Sequence, residues 1–88
     1  MDIQQEVRQS VIFNVADVFM KDEAFIEANP DLVFRSEFRA SSIEIYPLIS
    51  AFEDQFDIAL DFHDFENNAT TTNNTINYLL KQIELQRS

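Results

Sequence analysis

Residues 41–57 read SSIEIYPLISAFEDQFD and contain the strongest helix signal in the chain. Ser41 is followed three residues later by Glu44, which matches the capping box, a pair of side chains that satisfies free backbone N–H groups at a helix start. Behind this start, apolar residues recur with the spacing of one helix face, at Ile45, Ile49, Phe52 and Phe56. The segment therefore predicts an amphipathic helix whose exposed face holds Ile43, Pro47, Ser50 and Asp54.

The residues on either side of this segment predict three more helices. From Ile3 to Met20, apolar residues recur at intervals of four, at Ile3, Val7, Val11, Val15 and Phe19. Asp61 can cap a short helix from Phe62 to Glu66, and residues 56–60 are ambiguous between helix and strand. The run 70–72 is all threonine and can cap a last helix, whose inward face would hold Ile76, Leu79, Leu80 and Ile83.

Residues 21–40 predict a long ordered connection. The apolar pattern loosens here, and Asn29-Pro30-Asp31 is a turn signal because the residue before a proline is disfavoured in the helical region. Leu32, Phe34 and Phe38 would pin the connection to the core. The fold prediction is all-α: a single domain over residues 1–88, forming a small four-helix bundle with three main helices, a short third helix and a long first loop.

The composition of the 88 residues excludes several classes of protein. A formal charge of −10, from 16 acidic and 6 basic residues, argues against nucleic acid as a partner, because phosphate binding draws on clustered Lys and Arg. The chain has no cysteine for a disulfide or a thiolate, and no glycine for a phosphate-binding loop. No segment is apolar enough to span a membrane, and Met1-Asp2 lacks the basic start of a signal peptide, so a cytoplasmic location is expected.

The acidic residues are concentrated in the second half of the chain. Residues 40–80 contain no Lys or Arg and seven acids, namely Glu44, Glu53, Asp54, Asp57, Asp61, Asp64 and Glu66. A charge run of this kind can simply be a solvated helix face. Here the acids flank Ile43 on the exposed face, and an apolar residue among charges of one sign can dock a basic, partly apolar partner.

In order and spacing, these segments resemble the acyl carrier protein family from about Ile3 to Ile83. The family has a loop phenylalanine with a leucine four positions on, and an Asp-Ser-Leu signature that opens its second helix. Here the loop reads FRSEF at residues 34–38, and the helix opens with SSI at 41–43 and ends with FEDQFD at 52–57. The tail reads ATTT at 69–72 and INYL at 76–79, as in the family's last helix. The resemblance implies a carrier domain of four helices.

The resemblance also implies that Ser42 bears a 4′-phosphopantetheine group from coenzyme A, on which acyl intermediates are held as thioesters. In that family, the residue after the serine and the acids of the second helix meet basic patches on partner enzymes, and by position these are Ile43, Glu44, Glu53, Asp54 and Asp57. The implied partners are a phosphopantetheinyl transferase and the acyl-processing enzymes of fatty acid, lipid or polyketide-type biosynthesis. The chain itself would be a monomer and not an enzyme.

The family's acyl cavity can be placed in the same way. By position it would be lined by Phe34, Ile45, Tyr46, Ile49, Phe52, Leu60, Phe65 and Leu79. A plain apolar core would use most of the same residues. Phe62 and Phe65 would narrow the space.

Three positions depart from the family pattern. Arg39 stands where the family has glycine, and Ser41 stands where it has aspartate and becomes a second candidate hydroxyl. Pro47 lies inside the predicted helix, where it deletes one backbone hydrogen bond and can cost about 3 kcal/mol or produce a kink. Together these departures indicate a specialised carrier, or a carrier-like domain that has lost its modification.

Two other hypotheses place the chain in a different functional class, that of interaction modules. Colicin immunity proteins are also small, acidic and four-helical, and Ile45-Tyr46-Pro47 is faintly similar to their Tyr-Tyr-Pro segment. An unmodified carrier-like binder of lipid or protein is the other reading. The single histidine, His63, has no cysteine near it to complete a zinc site, so we predict no metal site and no catalytic residues.

Overall fold

The computed structural model describes residues 2–87, and the regular structure in that range is all helical. Six helices follow one another: α1 Ile3–Phe19, α2 Glu23–Ala28, α3 Phe34–Glu37, α4 Ser42–Phe56, α5 Phe62–Asn68 and α6 Thr72–Arg87. The all-α prediction is therefore confirmed. None of the helices between residues 2 and 87 is long and apolar enough to cross a membrane.

The core lies between the three long helices. α1 packs against α4 and α6, and α5 contacts both α4 and α6. The predicted inward residues Ile49, Phe52 and Phe56 of α4 are buried, as are Leu79 and Ile83 of α6. They belong to one continuous hydrophobic cluster, against which Ile45, Ile76 and Leu80 are partly buried. The apolar periodicity of α4 and α6 therefore identified the face of each helix that is buried in the core.

The connection between α1 and α4 contains two short helices that the sequence pattern did not predict. α2 packs against α1 and buries Ile26, and α3 buries Phe34. Two backbone hydrogen bonds tie this connection to the start of α6, from Phe34 N–H to Thr70 O (2.9 Å) and from Asn73 N–H to Pro30 O (3.0 Å). Helices this short are unstable alone, so tertiary packing holds them and no long periodic pattern announces them.

Helix α4 continues through Pro47. The proline lies on the exposed side of the helix, which runs without interruption from Ser42 to Phe56. The other residues predicted for the exposed face, Ile43, Ser50 and Asp54, are also exposed. Pro47 still removes one backbone donor from the helix, but the buried face through Phe52 is unaffected.

Among residues 2–87, three take the left-handed backbone conformation that glycine favours, in a chain without glycine: Met20 (φ 57°), Arg39 (φ 54°) and Asp57 (φ 54°). Met20 and Asp57 directly follow α1 and α4, and each donates its N–H back to the last turn of its helix. A residue with a Cβ pays about 1–2 kcal/mol in this conformation, and aspartate tolerates it better than methionine does. Met20 is 90% exposed, so its side chain adds little packing in return.

We expect Met20→Gly to raise the free energy of unfolding by about 0.5–1 kcal/mol, because glycine has no Cβ to crowd the left-handed backbone. The greater entropy of glycine in the unfolded chain offsets only part of this gain. Urea denaturation measures the change. Met20→Ala is the matched control, since it removes the long side chain but keeps the Cβ, and its stability should stay near that of the wild type. A glycine variant no more stable than the alanine variant would contradict the prediction.

Candidate functional site

The start of α4 separates the two candidate hydroxyls, Ser41 and Ser42. Ser41 is the N-cap, and its Oγ accepts from the Ile43 N–H (3.3 Å). Glu44 Oε1 accepts from the Ser41 N–H (2.8 Å) and from the Ser41 hydroxyl (3.0 Å), so the predicted capping box is formed. Because the Ser41 hydroxyl both accepts and donates within the box, it is the poorer candidate for modification.

Ser42 is the first residue of α4 and is exposed. Within the part of the chain that the structure describes, its hydroxyl has no hydrogen-bond partner, in contrast to that of Ser41. Backbone N–H groups in the first turn of a helix lack helical partners, and the helix dipole favours negative charge there. An accessible hydroxyl in this place is therefore suited to carry a phosphodiester.

Arg39 lies in the loop between α3 and α4, two residues before the N-cap. It takes the left-handed backbone conformation at the position where the resembled family has glycine. Its side chain is exposed, so it places a positive charge close in sequence to Ser42. Residues 40–80, which follow it, contain no Lys or Arg.

Two of the predicted docking acids are used by the fold. Glu44 completes the capping box, and Glu53 Oε2 accepts from the Leu60 N–H at 2.8 Å, which holds the turn after α4. Both residues are only partly exposed. The sequence predicted this structural role for Glu44 but not for Glu53, whose spacing along α4 does not distinguish it from a free surface acid.

Ile43, Asp54 and Asp57 are the predicted docking residues that remain available to a partner. Ile43 is 76% exposed. Asp54 and Asp57 are exposed, and within residues 2–87 neither carboxylate has an ion-pair or hydrogen-bond partner. Ile43 and Asp54 lie about three helical turns apart on one face of α4. We call these three exposed residues, two on α4 and one directly after it, the exposed stripe, which has an apolar head and two negative charges.

A cavity of about 250 Å³ lies beside α4, between α3, α5 and the segment that leads into α6. Three of the predicted acyl-cavity residues, Phe34, Ile45 and Phe65, line it. The other apolar lining residues were not predicted: Phe19, Val33, Ala40, Leu48 and Ala69. Leu48 had a signal in the sequence, since it lies three residues after Ile45 and four before Phe52. The remaining residues reach the cavity only through the tertiary fold.

The other predicted cavity residues lie elsewhere. Ile49, Phe52 and Leu79 are buried in the main core, and Leu60 is partly buried against it. Tyr46 is 59% exposed, and its ring stacks on Phe62 with the ring centroids 4.6 Å apart. Tyr46 therefore forms an aromatic pair between α4 and α5 and does not line the cavity.

An ion pair lies at the open side of the cavity. Arg35 of α3 and Glu66 of α5 both line it, with Nη2 of Arg35 and Oε2 of Glu66 3.3 Å apart. The Arg35 side chain is 72% exposed and the Glu66 side chain 27%, which places the pair at the rim. From the sequence, Glu66 was only one of the acids of residues 40–80. Its ion pair with Arg35 was not predicted, because it depends on α3, which the sequence did not predict.

Other polar groups around α5 serve the fold. Asp61 caps the helix by accepting from the Asp64 N–H, as predicted. The buried Tyr78 donates from Oη to Asp64 Oδ2 at 2.7 Å, and burial followed by this carboxylate raises the pKa of Tyr78 above its ordinary value. His63 is exposed, with its ring edge-on to Phe62. Across residues 2–87, no three acidic or histidine side chains are arranged to hold a metal ion.

No known family model matches this chain, and no curated protein matches it either. The likeness to acyl carrier proteins therefore rests on the sequence motifs quoted above.

Proposed function

We propose that this protein is an acyl carrier, which holds acyl intermediates as thioesters on a 4′-phosphopantetheine group attached to Ser42 and presents them to partner enzymes. The observation that supports this most is the start of α4, where Ser41 is engaged in the cap while the exposed Ser42 hydroxyl has no hydrogen-bond partner among residues 2–87. The enzymes served would belong to fatty acid, lipid or polyketide-type biosynthesis in the cytoplasm. The chain would catalyse no step itself.

The residues around Ser42 fit such a group. Ser42 would supply the ester oxygen, and the first turn of α4 would stabilise the phosphodiester charge by about 0.3–1 kcal/mol. When bound, the group supplies a thiol, which a chain without cysteine cannot provide from its own side chains. The left-handed backbone of Arg39 also supports the proposal, because it keeps a glycine-like conformation at the family's glycine position.

Partner enzymes would dock on the exposed stripe of Ile43, Asp54 and Asp57. A basic patch would pair with the two carboxylates while Ile43 fills an apolar depression beside it. Glu44 and Glu53 would add negative potential, although their carboxylates are held by backbone hydrogen bonds. The large net negative charge opposes self-association, so the carrier would act as a monomer.

The cavity beside α4 would shelter the acyl chain. Ile45, one helical turn after Ser42, lines it together with Phe34 and Phe65. Burying an acyl chain among such side chains is favourable by about 0.8 kcal/mol for each methylene group removed from water. An acyl group would therefore have an apolar environment within reach of its attachment site.

Intact mass spectrometry tests the proposal. The protein is incubated with coenzyme A and a broad-specificity phosphopantetheinyl transferase, and we expect a mass gain of one phosphopantetheinyl group. A known carrier protein in the same assay shows that the transferase is active, and circular dichroism shows that the chain is folded. An unchanged mass under these conditions would contradict the proposal and favour an unmodified interaction module.

The proposed docking of partner enzymes on the exposed stripe leads to a separate prediction. We expect the double variant Asp54→Asn/Asp57→Asn to lower kcat/KM for modification about three- to tenfold at low salt, because exposed charges steer the encounter with a basic enzyme. At about 0.5 M salt the difference should largely disappear, since the charges are screened. Asp17→Asn/Glu84→Gln is the matched control, with the same change in net charge on α1 and α6. An equal loss of rate in the control would rule out a localised docking surface.

A further inference from the structure

The Arg35–Glu66 ion pair determines the charge at the rim of the cavity. Within the described chain, these two are the charged residues that line it, and the other polar lining residues are Asn67 and Thr70. The two opposite charges are 3.3 Å apart and cancel each other. The rim therefore presents hydrogen-bonding groups to an incoming ligand but no uncompensated positive charge.

A carboxylate would meet two costs at this rim. To bind Arg35 it would have to share the exposed guanidinium with Glu66, and the two negative charges would repel each other at the rim. It would also approach a chain with a net charge of −10, whose negative potential opposes an anion. An uncharged thioester, ester or amide meets neither cost, and the side chains of Asn67 and Thr70 can hydrogen-bond to it.

We propose that the cavity accepts uncharged acyl derivatives and rejects free fatty carboxylates, and that Glu66 is the residue that determines this preference. The fitting ligand is a short linear acyl chain, because a cavity of about 250 Å³ has room for only about eight groups the size of a water molecule. The benefit of this preference rests on the proposed function, since the preference would let a carrier hold its own thioester without competition from free fatty acids. It does not require that Ser42 be modified.

The two partners of the pair have opposite effects on this preference. Glu66→Gln leaves Arg35 uncompensated, so a carboxylate gains a cation to bind. Arg35→Gln leaves Glu66 uncompensated, so a carboxylate is repelled more strongly than in the wild type. The preference for an amide over a carboxylate should therefore be largest in Arg35→Gln, intermediate in the wild type and smallest in Glu66→Gln.

The experiment is a pair of NMR titrations of the unmodified protein with octanamide and with octanoate, which have the same chain length and differ in head-group charge. We expect the wild type to bind octanamide about tenfold more tightly. In Glu66→Gln the two affinities should become equal or reverse. Glu84→Gln, which makes the same change in net charge at an exposed position of α6, should keep the wild-type ratio.

Three results would overturn the inference: equal affinities in the wild type, an unchanged ratio in Glu66→Gln, or no binding of either ligand. The double variant Arg35→Gln/Glu66→Gln controls for the effect of an unpaired charge on folding, and we expect it to retain the amide preference. Because no phosphopantetheine is present in these titrations, their outcome is independent of whether Ser42 accepts the group.

Discussion

Ser42→Ala is expected to abolish the attachment of phosphopantetheine completely while the helical bundle stays intact. The variant removes the ester oxygen, and the capped hydroxyl of Ser41 does not replace it. Alanine has the highest helix propensity, and the Ser42 hydroxyl makes no hydrogen bond within the described chain. We therefore expect the free energy of unfolding to change by less than about 0.5 kcal/mol. Intact mass and urea denaturation measure the two quantities.

Ser41→Ala is the matched control and should behave in the opposite way. Loss of the N-cap hydroxyl removes its bonds with Ile43 and Glu44, so we expect the free energy of unfolding to fall by about 1 kcal/mol. The mass gain should persist, because Ser42 remains in place. A mass gain that survives Ser42→Ala, or one that is lost in a folded Ser41→Ala variant, would show that the attachment point is not Ser42.

Phe52→Ala is expected to lower the free energy of unfolding by about 3–5 kcal/mol. Phe52 is fully buried in α4, and its ring centroid is 6.2 Å from that of Phe65. Truncation removes this contact and leaves a void that the helices around it can fill only in part. A small domain has only about 5–15 kcal/mol of stability in total, so the variant should be marginally folded at best.

Urea denaturation followed by circular dichroism measures this loss. Phe13→Ala is the matched control, because it deletes the same atoms from a residue that is 56% exposed on α1. We expect the control to change the free energy of unfolding by about 0.5 kcal/mol or less. Similar losses in the two variants would contradict the placement of Phe52 at the centre of the core.

The parts of the fold that the sequence predicted are those set by local chemistry and regular spacing. The capping box involves Ser41 and Glu44, which are only three positions apart, so it can be recognised from the local sequence alone. The buried face of α4 follows from apolar residues that recur at the helical period, and Asp61 caps α5 for the same local reason as Ser41 caps α4.

The parts that the sequence did not predict depend on contacts between distant residues. α3 is held by a backbone bond to Thr70, and without α3 there is no reason to pair Arg35 with Glu66. Glu53 has the spacing of a free surface acid but bonds to the Leu60 N–H. By its position in the pattern of the resembled family, Tyr46 was predicted to line the cavity, yet its ring stacks on Phe62 at the surface.

The attachment point can be located directly in the modified protein. Trypsin cleaves after Arg39 and Lys81, and because residues 40–80 contain no Lys or Arg, both candidate serines lie in one peptide. Fragmentation of that peptide by tandem mass spectrometry places the added mass on a single residue. We predict that the phosphopantetheinyl group is on Ser42. A group found on Ser41 or elsewhere, or a peptide that remains unmodified, would contradict the proposed carrier function of this site.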